Sequence, residues 1–152
     1  MTSSQHRPFT EARRTFRWCA LGRALVVWLV FIGIESVLGT LRVLFLEPRI
    51  GAVLAQRIGL ITGSAALLIV TYLLIGWVRA EGRTALLEVG VLWVSLTFTF
   101  EMGIGHLRGR SWRSLLADYD IVHGGLMPAA LALLLFAPLI AVRLQGRKPP
   151  AG

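Results

Sequence analysis

Three charged residues stand inside long apolar runs, where charge is expensive. Glu35 and Arg42, seven positions apart, interrupt the run from Ala24 to Leu46, and Glu101 lies near the end of the run from Thr84 to Ile104. An ionisable group at membrane depth is a functional candidate by default, because its desolvation must be offset by a partner or a task. Chemically, a carboxylate there can exchange a proton, and a guanidinium can anchor an anion or hold a carboxylate.

Depth and facing follow from helical geometry. At about 1.5 Å per residue, Glu35 lies about 16 Å from Ala24, near the middle of a core about 30 Å thick. Arg42 and Glu101 both fall close to the opposite boundary, about 27 and 25 Å in. A separation of seven residues returns to the same helix face, so Glu35 and Arg42 share one, with Gly39 between them. That face is expected to point into the bundle. Shared depth predicts an Arg42–Glu101 pair. Such a pair is either an architectural salt bridge between the first and third helices or a charge relay or substrate anchor open to an outer cavity. The third reading is that both side chains snorkel to the interface. Glu35 has no partner at its own depth. It is either a carboxyl group hydrogen-bonded to Thr71, Tyr72 or Thr97, or a proton acceptor coupled to transport.

A second set of polar groups, His106, Asp118, Asp120 and His123, falls around the outer end of the third run and the segment after it. Their spacing matches neither HExxH nor a His pair at i, i+4, so no metal is expected. Histidines at span ends rather than inside spans do not suit a haem. No GxSxG, Walker A or dinucleotide fingerprint occurs, and the lone Cys19 removes disulfide, CxxC and thiolate-zinc chemistry. No catalytic residue and no cofactor is assigned, and the chain is not expected to be an enzyme.

The elements that position these groups are four apolar runs of membrane-spanning length: about 24–46, 58–78, 84–104 and 124–142. Hydrophobic residues make up 55% of the 152-residue chain and charged residues 16%, with a mean hydropathy of +0.69. Ordinary soluble domains are roughly a quarter charged, so this composition argues against a soluble globule. The runs are continuous rather than alternating, so helices and not barrel strands are expected. The basic stretch before the first run resembles a signal peptide. It lacks a small-residue cleavage site, however, and its apolar run is too long, so it reads as an anchor.

The net charge of +8 is unevenly distributed. Segment 1–23, the 79–83 connection and the 143–152 tail carry ten Lys and Arg, against five in the other two connections. This asymmetry predicts both termini on the cytoplasmic side. It reports topology and some attraction to anionic headgroups, not nucleic-acid binding. Segments 1–23 and 143–152 are then a basic cytoplasmic lead and a cytoplasmic tail around a transmembrane domain at 24–142.

The connections are short except the third. Glu47-Pro48-Arg49-Ile50-Gly51 reads as a break and Gly82 as a helix stop. Between the third and fourth runs, Trp112, Leu115, Leu116 and Tyr119 fall on one face of a short helix, Ser111–Tyr119, capped by Ser111. That helix lies either in the membrane interface or as a lid on the bundle. Gly59 and Gly63 form a GxxxG in the second span, used either within the bundle or for dimerisation. Pro138, deep in the fourth run, is expected to kink it.

Glu35-Ser36-Val37-Leu38-Gly39-Thr40-Leu41-Arg42, Thr99-Phe100-Glu101 with Gly105-His106, and Asp118-Tyr119-Asp120 with Gly124-Gly125-Leu126-Met127 resemble a group of small, uncharacterised four-span bacterial inner-membrane proteins. The likeness covers nearly the whole chain. It implies location rather than chemistry, and it places Glu35, Arg42 and Glu101 in that group's pattern. Helix count and a glutamate in the first helix are also similar to small multidrug-resistance exporters. The long segment between the third and fourth runs, and the added Arg42 and Glu101, depart from them.

The fold expected is therefore an all-α membrane protein: four transmembrane helices in an antiparallel bundle, with a short interfacial helix between the third and fourth. The function expected is that of a non-catalytic structural or accessory protein of the inner membrane. The partners expected are the lipid bilayer and either a second copy or another membrane protein. The alternative is a proton-coupled transporter of a small molecule or ion, acting as a dimer.

Overall fold

The computed structural model describes residues 7–80, 82–109, 111–117, 119–120, 125 and 127–146. Its elements are α1 (Arg7–Leu41), a π-helical segment (Arg42–Leu46), α2 (Glu47–Ile50), α3 (Ala52–Val78), α4 (Gly82–Leu107), α5 (Trp112–Ala117) and α6 (Met127–Leu144). There is no strand among the described residues. Four stretches are long and apolar enough to cross a membrane: Trp18–Ile50, Ala52–Val78, Gly82–Leu107 and Met127–Leu144.

The first stretch differs from a simple span ending at Leu46. Pro48 lacks the N–H that would bond Leu44, and its ring clashes with that carbonyl. The helix answers by widening rather than breaking: the Glu47 N–H bonds the Arg42 carbonyl, five residues back. Arg49 donates from Nη1 to the Phe45 carbonyl at 2.6 Å, satisfying a group near the distortion. The chain finally turns at Gly51, whose φ of 81° and ψ of 157° lie in a region that glycine alone tolerates. Helix also continues back to Arg7, so the basic lead runs straight into the first span. The other connection departs from expectation in the same spirit. Arg79, left-handed at φ 56°, closes α3, and Gly82 opens α4 instead of stopping a helix.

Packing is concentrated in one half of the bundle. Ala24, Val27, Trp28 and Phe31 of α1 meet Ile75 and Val78 of α3, Leu86, Val89 and Trp93 of α4, and Leu134 and Ala141 of α6. The Trp93 indole N–H donates to the Ala24 carbonyl at 2.8 Å, and the Phe31 ring stands edge-on to Trp93 with centroids 4.8 Å apart. The Trp28 indole donates to Thr97 Oγ1 at 3.0 Å. Gly90 of α4 lies so close to the Leu135 carbonyl of α6 that no side chain fits between them. Helix α6 continues through Pro138, which is buried.

Outside this core the apolar surface faces outward. Only 17–28% of the most apolar window of each span is buried within the bundle, and Ile61, Leu73, Val91 and Phe136 are exposed. In water an exposed apolar surface of that extent would drive association. Against lipid tails it is already solvated, and packing with hydrogen bonds holds the helices together.

Candidate functional site

The half of the bundle beyond the core holds the charged residues expected to matter. Glu35 and Arg42 share a face of the first span, as their spacing requires, and both lie against α3. A Cβ placed on Gly63 would stand 2.8 Å from Glu35 Oε2 and 3.0 Å from Oε1. One placed on Gly59 would stand 2.8 Å from Arg42 Cδ. The two glycines, one turn apart, are thus a pair of notches: Gly63 receives the carboxylate and Gly59 the arginine stem. The GxxxG is occupied within the chain. Gly39, between Glu35 and Arg42 on their own helix, has open space where a Cβ would be.

Arg42 is the first residue of the π-helical segment. Widened turns of this kind recur at functional sites because they re-aim a side chain without ending the helix. No ion pair between Arg42 and Glu101 is seen among the described residues. Arg42 lies along Gly59, and its Nε is buried with no hydrogen-bond partner. Glu101 is not without an interaction of its own.

Thr71 donates to the Leu67 carbonyl at 2.7 Å, Thr97 receives the Trp28 indole, and Tyr72 is exposed. Thr40, Thr62 and Thr99 likewise bond carbonyls of their own helices. At the C-terminal end of α4, the His106 ring stacks on Trp112 with centroids 5.1 Å apart. Asp120 is partly buried, and its chain neighbour Tyr119 meets Phe98 edge-on. Asp118 and His123 lie outside the described residues. No group of three or more His, Cys, Asp or Glu able to hold a metal occurs among the described residues.

Sequence reasoning did not connect Gly59 and Gly63 with Glu35 and Arg42, although the signal was present. Counting outward from the turn at Gly51, Arg42 and Gly59 lie nine and eight residues away, and Glu35 and Gly63 sixteen and twelve. The first pair mirrors closely across the helical hairpin, and the second is offset by four residues, about one helical turn.

The four long apolar helices define a class, pointing to a multi-pass membrane protein of helix-bundle type. No known protein family, curated protein or solved structure matches the chain.

Proposed function

We propose that the chain is a non-catalytic structural or accessory protein of the bacterial inner membrane, built as an antiparallel four-helix bundle with both termini cytoplasmic. The observation that carries this reading is the seating of Glu35 on Gly63 and Arg42 on Gly59. Glu35 and Arg42 each fit α1 to a glycine of α3, which supports a packing role for them. Antiparallel order is supported by those two contacts together with the Arg23–Trp77 hydrogen bond, since residues later in α1 meet residues earlier in α3. Orientation is supported by the arginine and lysine asymmetry of the connections. Trp112, stacked on His106, and Leu116 of α5 both remain exposed, which favours the interfacial reading over a lid.

A second reading has one observation in its favour. The buried Arg42 Nε without a partner, beside open space at Gly39, is what a small polar solute or a proton path would use. On that reading the chain is a proton-coupled transporter acting as a dimer. Because the GxxxG is filled internally, the dimer face would lie elsewhere. The deciding experiment is Glu35→Gln in the full-length protein. A structural role predicts a folded, membrane-inserted variant with the cellular phenotype of the parent. Retained insertion with lost proton-linked uptake or efflux would sink the structural reading in favour of transport.

A further inference from the structure

The half of the bundle that holds the core ends in arginines from all four spans. Arg23 precedes the buried Ala24 on α1, Arg79 closes α3, Arg83 sits in the first turn of α4, and Arg143 in the last turn of α6. Ala24, Val78, Leu86 and Ala141, each within three residues of one of these arginines, belong to the same buried cluster, so the four bases crown one end. Segments 1–23, 79–88 and 143–152 together hold ten Lys and Arg against three acids: Glu11, Glu81 and Glu88. Glu88 is partly buried, on α4, and has an interaction of its own.

Arg23 is fixed more firmly than a surface arginine. Its Nη1 donates to the Trp77 carbonyl at 3.2 Å, and its guanidinium carbon lies 5.5 Å from the centroid of the Trp77 ring. The hydrogen bond to Trp77 engages one of the five donors of the planar Arg23 fork. A guanidinium already stacked and bonded loses little freedom on taking a further ligand, and its fork matches two oxygens of a phosphate. Trp77 is exposed beside it, and tryptophan favours the headgroup level of a bilayer.

We propose that this end of the bundle binds the phosphate headgroups of anionic phospholipids, with Arg23, held on Trp77, as the central donor. Arg79, Arg83 and Arg143 supply the surrounding positive field, which disfavours headgroups carrying their own ammonium. The inference rests on the chain crossing a bilayer, but not on which way it crosses.

The test uses the full-length protein in nanodiscs of mixed phosphatidylglycerol and phosphatidylcholine, with retained lipid measured by native mass spectrometry. The expected result is phosphatidylglycerol enriched severalfold over its share. Arg23→Gln should lower the preference about fivefold, as for loss of one basic residue at an anionic surface. Arg23→Lys, which keeps the charge and loses the fork, should fall between. Retention in proportion to supply, or a folded Arg23→Gln variant with the parent's preference, would overturn the proposal. Displacement of the lipid by excess inorganic phosphate would reassign the site to free phosphate and overturn it equally. Should Arg23→Gln misfold, Arg83→Gln and Arg143→Gln, which leave the Trp77 contact intact, must each reduce the preference, and no change in either refutes the site. Resistance of the protein to alkaline extraction from membranes separately tests whether it spans, so the two ideas fail distinguishably.

Discussion

The carboxylate of Glu35 rests on Gly63, where an added Cβ would stand 2.8 Å from Oε2. The contact joins the deepest acid of the first span to a position on α3 that has no side chain to offer. Gly63→Ala must therefore move the carboxylate or part the helices. Overpacking of this kind costs about 1–3 kcal/mol where the neighbour cannot yield. Because the obstacle is the end of a side chain, the expected loss lies at the lower part of that range. Gly59→Ala, opposed by the flexible Arg42 stem, should cost no more than Gly63→Ala. Thermal melting in detergent reads both. A Gly63→Ala protein as stable as the parent would mean that Glu35 does not occupy the notch.

Gly90 faces a harder obstacle. Its neighbour is the Leu135 carbonyl, part of the α6 backbone, which cannot rotate away as a side chain can. Gly90→Ala should therefore destabilise more than either α3 glycine, by at least the roughly 3 kcal/mol upper figure for overpacking, with α6 displaced from α4. The ordering Gly90 above Gly63, and Gly63 at or above Gly59, is the sharper claim. Equal melting temperatures for the three variants would contradict the close approach of α4 and α6.

Two indoles fasten α1 to α4. The Trp28–Thr97 bond is 3.0 Å between side chains, and the Trp93–Ala24 bond is 2.8 Å and buried. A side-chain hydrogen bond within a membrane bundle contributes on average about 0.6 kcal/mol, with a maximum near 1.7. Trp28→Phe and Thr97→Val should each destabilise the bundle, and the double variant by less than their sum, because the second change removes a bond already lost. Strict additivity would place the two groups out of contact. Trp93→Phe should cost more than Trp28→Phe, since it removes a buried hydrogen bond and leaves a gap beside Phe31.

Much of this architecture was legible from the length of the apolar runs, because a helix crossing hydrocarbon needs about twenty residues with few charges, and little else in a sequence imitates that. The spacing of Glu35 and Arg42 likewise gave their common face. Partners were harder to read. Arg42 and Glu101 share a depth, but depth does not fix azimuth. Arg42 lies against Gly59 of α3, a facing that the length of an apolar run does not specify. Pro48 announced a disturbance, yet two outcomes satisfy its chemistry, a break or a widened turn. The choice between them depends on whether the carbonyls left over find donors, as Phe45 does in Arg49.

That dependence gives the last prediction. In Pro48→Ala the N–H at position 48 returns and can bond Leu44 four residues back, so the strain that favours the wide turn is gone. Residues Arg42–Leu46 should then relax to α-helix, and Glu47–Ile50 should rotate relative to Glu35 and Arg42, which are set by the regular helix before the wide turn. Solid-state NMR carbonyl and Cα shifts across Arg42–Leu46 would move to ordinary helical values, and the exchange-protected Glu47 amide would change its acceptor from Arg42 to Val43. Unchanged shifts would mean that the wide turn has some origin other than Pro48.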